Sequence, residues 1–240
     1  PIETILVGDS MGMVVYGYNS TVPVTMDQII QHTKAVVTGA PNTFVVGDMP
    51  FGSYNVSVED AVRNANRIMK EGGADAVKLE GGKNVAHVVE ALVKGGIPVM
   101  GHIGLTPQTA GMLGGFKVQG KDAEAAKQLM EDAKAIEQAG AFAIVVECVP
   151  AAVSKIMTEE LSIPTMGIGG GPYCDAQVLV TQDMLGMFDK FVPKFVKQYV
   201  QLNKQMVDAL STFYEEVQEG AFPGPEHSFG MKEEELKRLY

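Results

Sequence analysis

Apolar residues run along this chain in two alternating textures. Short continuous runs occupy 4–7, 44–48, 75–80, 97–101, 142–147, 164–168 and 177–181. Between them, apolar positions recur every three or four residues over longer stretches. Ala61, Ala65, Ile68 and Met69 fall at i, i+4, i+7 and i+8, one helical stripe facing a core. Val85, Val88, Val89 and Leu92 repeat that stripe ahead of Gly95-Gly96. Thr25-Met-Asp-Gln28 reads as a capping box opening a helix over 26–38, and Ser57-Val-Glu-Asp60 as another opening 58–71. The Ala-, Glu- and Lys-rich segment Asp122–Gln138 is followed by Gly140, placed to be its C′ residue.

The short runs are unbroken rather than alternating, as strands are when a parallel sheet is covered on its outside. Alternating strand and helix means an α/β fold. With no composition shift to mark a linker, the pattern predicts one (β/α) barrel domain over 1–240 rather than a doubly wound sheet, with C-terminal helices and tail from about 190. A (β/α)8 TIM barrel needs one strand more than the runs supply. The expectation is therefore that a first strand and helix belong ahead of Pro1. The link from Gly169 to Ala176 is too short for a full helix and is expected to be a helical turn.

Composition narrows the class without changing the fold. The 240 residues are 46% hydrophobic and 20% charged, ordinary globular values. With 19 basic against 29 acidic residues the formal net charge is −10. That argues against nucleic acid and anionic membrane as partners, since both attract a basic face. Cys148 and Cys174 make no disulfide framework, and a reduced, cytoplasmic setting is expected. The apolar stretch AFAIVVECVPAAV contains Glu147 and Pro150 and is too short to span a bilayer.

Three of the runs carry an acid at or near their ends: Asp9 in ILVGDS, Asp48 in VVGDMP and Glu80 in AVKLEGG. A buried carboxylate is costly unless its charge is compensated. In a barrel the C-terminal strand ends converge on the face where active sites are built. Asp9, Asp48, Glu80, His102 and Glu147 are all expected on that rim. Carboxylates gathered without a cation repel one another and raise their pKa values. A hard cation such as Mg²⁺, which takes oxygen ligands and keeps water or substrate oxygens, is the expected shared partner. Taken singly, each carboxylate is explained as well by a cap on the following loop or helix.

Lys78 precedes Glu80 by two residues, so strand alternation points both into the barrel mouth. There Lys78 is expected to bind an anionic substrate group; a rim lysine that snorkels to water is the alternative. Ser10, directly after Asp9, is placed to hold a carboxylate oxygen. Glu147 sits inside AIVVECVP, where burial pushes a carboxyl toward neutrality and toward general-base chemistry. A structural glutamate paired with a lysine or backbone amide is its alternative. His102 is a second acid/base candidate, an orienting partner or a structural histidine. His32, His87 and His227 read as structural, and Cys148 as non-catalytic. The glycine clusters Gly114-Gly115 and GIGGG (Gly167 to Gly171) suit either a phosphate cradle or tight turns, and match neither GxGxxG nor a P-loop.

VGDSMGMVVYGYNSTVPVTMD, GAPNTFVVGDMPFGSY, GGADAVKLEGG, PVMGHIGLTPQ, VVECVP, IPTMGIGGG and DMLG follow one another in this order. In that order they resemble the ketopantoate hydroxymethyltransferase family, from Ile5 to about His227. The resemblance implies a (β/α)8 barrel of the phosphoenolpyruvate/pyruvate superfamily type. It implies a Mg²⁺ enzyme of pantothenate synthesis that forms ketopantoate from 3-methyl-2-oxobutanoate through a Mg-stabilised enolate. 5,10-Methylenetetrahydrofolate would be the one-carbon donor, and the assembly a homo-oligomer, typically a decamer. On matching positions Asp9 and Asp48 would be metal ligands, with Glu80 acting through water. Ser10 and Lys78 would join Asp9 and Asp48 in holding the keto acid, His102 would lie near it, and Glu147 would be the proton acceptor. The family usually has a strand and helix ahead of ILVGDS. It commonly reads GIGAG where this chain has Gly170, and CDGQ where this chain has Ala176.

Two other functions fit the same residues. One is a Mg²⁺-dependent lyase or mutase for another 2-oxo acid, which needs no folate. The other is a non-catalytic barrel subunit, whose expected mark is a lost mouth carboxylate; here all are present.

Overall fold

In a computed structural model, which describes residues 2–240, the apolar runs form one parallel sheet. Its strands are β1 (Thr4–Val7), β2 (Phe44–Asp48), β3 (Ala76–Lys78), β4 (Val99–Gly104), β5 (Ala143–Glu147), β6 (Thr165–Ile168) and β7 (Ala176–Gln177). Each pairs with the next in chain order, the winding of a (β/α) barrel. Among the described residues β1 and β7 do not pair with each other. Between the strands run α1 (Met11–Val14), α2 (Met26–Gly39), α3 (Val58–Arg67), α4 (Ala86–Lys94), α5 (Ala123–Gln138) and α6 (Ala151–Glu160).

The period of two divides strands β2 to β5 between two cores. Outward, Val45, Val77, Leu79, Val99, Ile103, Ile144 and Val146 pack with Ile29, Ile68, Leu92 and Ile136 in one buried cluster. Each such fully buried aliphatic side chain contributes about 1.5–3 kcal/mol. Gly47 also faces outward, where a Cβ would overlap Ile68, so β2 lies close beneath its helical layer. Inward, Val46, Ala76, Met100, Ala143 and Val145 form a second, smaller cluster. Two residues further along the same inner face come Asp48, Lys78, His102 and Glu147. The unbroken apolar runs thus conceal a polar layer at one end of the barrel interior.

Local signals are met in most places. Thr25 and Gln28 form the reciprocal capping box at α2. Ser57 accepts from the Asp60 N–H, but the Asp60 carboxylate pairs with Arg63, so the second half of that box is absent. α3 passes at Ile68 into a π-helical turn that ends at Gly73, φ +81. Gly140, φ +98, follows the end of α5 as expected.

Three expectations are corrected. β4 runs three residues past Gly101, to Gly104, because five consecutive residues of β5 pair with it, so His102 lies inside the strand. The segment 177–181 is strand only at its start: β7 has a single neighbour, pairing stops at Gln177, and Thr181 opens a helix. Gly169 to Ala176 forms no helical turn; Gly169 and Gly171 adopt positive φ and the Gln177 amide bonds back to the Gly171 carbonyl at 2.9 Å.

These elements, up to Val180 and with Pro193–Val196, make one compact unit. The second, Thr181–Val192 with Lys197–Tyr240, holds α7 (Thr181–Met184), α8 (Leu202–Glu219) and α9 (Glu233–Leu236). Within it the Leu202 and Asn203 N–H groups bond the carbonyls of Leu185 and Gly186, and α8 ends at left-handed Gly220. No described helix is long and apolar enough to cross a membrane.

Candidate active site

Parallel register brings the inner polar layer together at the C-terminal strand ends. Asp48 pairs with Lys78 across β2 and β3, and Gly104 with Glu147 across β4 and β5. Asp9, Asp48, Lys78, Glu80 and His102 are all buried. Lys78 Nζ stands 2.9 Å from both Asp48 oxygens, with hydrogen-bond geometry only to Oδ2, and 3.4 Å from Glu80 Oε1. Asp48 Oδ2 also accepts from the Asp9 N–H at 3.1 Å. Among the described residues Asp48 Oδ1, buried beside the Lys78 ammonium, has no aligned hydrogen-bond donor.

Three carboxylates against one ammonium leave this pocket short of positive charge. Burial first, then the charges of Asp48 and Glu80, hold the Asp9 carboxyl well above its ordinary range. Burial alone would lower the Lys78 ammonium; Asp48, Glu80 and Asp9 outweigh it and hold it above its ordinary value. No group of three or more His, Cys, Asp or Glu among the described residues forms a ready-made metal cage. Mg²⁺ asks for less, one or two carboxylates completed by water and substrate oxygens. Asp9 with Asp48 fits that demand, on the donorless Asp48 Oδ1 and the crowding of like charge. Glu80 is already engaged: Oε1 by Lys78, and Oε2 by the Gln108 N–H at 3.1 Å.

Glu147 ends β5 on the same inner face. Burial pushes its carboxyl up to about 7, with Lys78 opposing and Asp48 adding to the rise. The His102 ring lies between it and the charged group, Nε2 3.0 Å from Glu147 Oε2 and Nδ1 3.5 Å from Glu80 Oε1. Neither contact has hydrogen-bond alignment. Burial, then the Lys78 charge, pushes His102 down to about 4, so its imidazole is neutral at pH 7. The turn out of β5 is strained: Cys148 has φ +50, which costs roughly 1–2 kcal/mol for a non-glycine residue. Its N–H bonds the Ile168 carbonyl at 2.9 Å. Burial, then Glu147, pushes its thiol up to about 11, unsuited to nucleophilic work. At Gly104, φ +90, a Cβ would overlap the Glu147 carbonyl, which accepts from the Leu105 N–H at 2.8 Å.

Ser10 follows Asp9 as the N-cap of α1, with no side-chain cap bond. The other histidines lie on α2, on α4 and in the turn Pro225–His227; His32 pairs with the Tyr16 hydroxyl at 2.7 Å. Two residues within the quoted motifs, Tyr54 and Gln108, join the cluster although neither was singled out from the sequence. Gln108 Nε2 donates to Asp9 Oδ2 at 2.8 Å and to the Met49 carbonyl at 2.9 Å, and Tyr54 Oη donates to Gln108 Oε1 at 2.6 Å. Neutral polar residues carry no charge pattern; the one available signal was their place just past strands that carry an acid or a histidine.

A family model described as ketopantoate hydroxymethyltransferase matches residues 1–225. The chain belongs to the ketopantoate hydroxymethyltransferase family. A 3-methyl-2-oxobutanoate hydroxymethyltransferase from Heliobacterium modesticaldum is 67% identical over all of this chain and 86% of its own length. One of the same name from Clostridium botulinum is 60% identical, over all of this chain and 87% of its own length. Among solved structures, a phosphoenolpyruvate phosphomutase from Streptomyces platensis aligns with a TM-score of 0.55 at 14% identity, covering 91% of this chain and 76% of that one. At that identity the likeness concerns the fold, and it sets this member of the ketopantoate hydroxymethyltransferase family on the expected barrel.

Proposed function

We propose that this chain transfers a hydroxymethyl group from 5,10-methylenetetrahydrofolate to 3-methyl-2-oxobutanoate, giving ketopantoate for pantothenate and coenzyme A synthesis. The observation that carries the reading is a carboxyl held near neutrality, Glu147, set across His102 from the Asp9, Asp48, Lys78 and Glu80 cluster. Asp9 and Asp48 would hold Mg²⁺, with Glu80 reaching it through water. A divalent cation there supplies positive charge that draws electrons from the keto acid's carbonyl and acidifies its C3–H.

The chain's own groups do the rest. Glu147 takes the C3 proton; a carboxyl at about 7 is a stronger base than an exposed glutamate and is still ionised in useful fraction at neutral pH. Neutral His102 packs beside the Glu147 carboxylate without cancelling its charge. Lys78 offsets the charge of the substrate carboxylate, and Ser10 holds one of its oxygens. The carbanionic C3 then bonds to the methylene carbon of the folate, whose two C–N bonds break; water gives that carbon its hydroxyl, and the protons from C3 and from water end on the two folate nitrogens as tetrahydrofolate leaves. The test is proton exchange at C3 of 3-methyl-2-oxobutanoate in D₂O with Mg²⁺ and no folate. Exchange by the wild type and its loss in Glu147→Gln, with keto acid binding kept, supports the reading; no exchange by the wild type rejects it.

The same reading includes a cytoplasmic homo-oligomer, a decamer by family resemblance. It is supported by Val207, Leu210, Tyr214 and Val217, an exposed apolar stripe along α8. Light scattering on the purified protein gives the assembly mass.

A further inference from the structure

Gln108 is the neutral member of the charged cluster, and its hydrogen bonding is unusually complete. It lies in the short turn Pro107–Thr109 after β4 and is 4% exposed. Both amide protons are used, one toward Asp9 Oδ2 and one toward the Met49 carbonyl. Its backbone N–H goes to Glu80 Oε2, and its own Oε1 accepts from Tyr54. The amide has one allowed orientation. The Met49 carbonyl has no proton to give, so Nε2 must face it and Oε1 must face the Tyr54 hydroxyl.

The residue type matters as much as the geometry. A lysine or arginine here would neutralise the charge that draws a cation; a glutamate would add repulsion to Asp9. An apolar side chain would leave Asp9 Oδ2 and the Met49 carbonyl buried without their donor. Only a neutral amide donates to both and keeps the negative charge of the pocket.

We propose that Gln108, locked by Tyr54, is the positioning residue of the cation site, fixing Asp9 by its side chain and Glu80 by its backbone before any cation arrives. The inference rests on Asp9 and Asp48 as cation ligands. Groups that orient metal-binding carboxylates typically change metal affinity by about 10–100-fold when removed.

The test is Mn²⁺ binding, read from the electron paramagnetic resonance of free Mn²⁺, with keto acid absent. The proteins are the wild type, Tyr54→Phe, Gln108→Met and the double variant. Tyr54→Phe removes one oxygen and keeps the buried ring; Gln108→Met keeps the side-chain volume and the backbone bond to Glu80. Both variants are expected to raise Kd, Gln108→Met by about 10–100-fold and Tyr54→Phe by about 10-fold. If Tyr54 acts through Gln108, the double variant binds no more weakly than Gln108→Met. In Tyr54→Phe the Mg²⁺ concentration for half-maximal activity rises, and the rate at saturating Mg²⁺ stays within a few-fold of wild type. A purely structural role would lower the melting temperature of the metal-free protein and leave Kd unchanged. Wild-type Kd in a folded Tyr54→Phe overturns the inference, and should Gln108→Met fail to fold, Tyr54→Phe alone decides it. A wild type that binds no Mn²⁺ overturns the cation site itself and takes this role with it.

Discussion

Acidic residues stand at both ends of one sheet, and the two sets differ in what they are left wanting. At the N-terminal ends, Asp75 precedes β3 and Asp175 precedes β7. Asp75 Oδ2 accepts from the Val45 N–H of β2 at 2.8 Å, and Asp175 Oδ2 from the Thr165 N–H of β6 at 2.8 Å. Each answers with its own N–H, Asp75 to the Val45 carbonyl at 2.8 Å and Asp175 to Thr165 Oγ1 at 3.2 Å. These are local clips between neighbouring strands. At the C-terminal ends, Asp48 and Glu80 share the Lys78 ammonium, the Asp9 carboxylate has only the neutral Gln108 amide, and Asp48 Oδ1 has no aligned hydrogen-bond donor among the described residues. A carboxylate at a strand end is therefore not by itself a site. A shared and unfilled demand for positive charge is what separates the two ends.

The comparison breaks or sharpens under substitution. The largest expected effect is Glu147→Gln, which lowers turnover by about 10²–10⁴, the usual contribution of a general base. Asp75→Asn should stay within a few-fold of wild-type turnover; an equal loss in both would erase the functional distinction between the ends. Next is Lys78→Met, which leaves buried carboxylates without their ammonium and costs about 3–5 kcal/mol in urea unfolding. Saturating Mg²⁺ should restore part of that loss. Full stability without Mg²⁺ would mean the upper carboxylates are as self-sufficient as the lower ones.

The pH dependence of Glu147 comes next in size. Its folded pKa lies above the unfolded value, so the contribution of Glu147 to stability is fully present below about 4.5 and is lost as pH rises through about 7. Glu147→Gln cannot ionise. Its stability relative to wild type should rise by about 3 kcal/mol across that window, followed by urea unfolding at several pH values. A flat difference would mean that the carboxyl is solvated. The smallest effect belongs to Asp75→Ala, a loss of about 1–3 kcal/mol from the unsatisfied Val45 N–H, with Mn²⁺ affinity unchanged. A change in that affinity would show the two ends to be coupled.

What could be read from the chain alone follows the same division. Strands β1 to β6 and helices α2 to α5 were legible, since unbroken apolar runs and 3.6-residue stripes are properties of neighbouring residues. β7 was misread because 177–181 has the right residues but, at the sheet edge, only one neighbour to pair with. Glu147 was legible as a perturbed carboxyl because an acid within AIVVECVP has nowhere to go but the interior. Gln108 was not, because its partner Asp9 lies 99 residues away and no local period links them.

By itself, then, the sequence determined the alternation of strand and helix, the inward phase of Lys78 and Glu80, and which runs carry acids. Tertiary structure decided that Asp75 and Asp175 are satisfied clips, while Asp48 and Glu80 converge on one ammonium and Asp9 and Glu80 on Gln108. The reason is range: secondary structure and strand phase come from short-range periodicity. The electrostatic environment of a carboxylate comes from the register of strands and loops that meet only when the sheet is assembled.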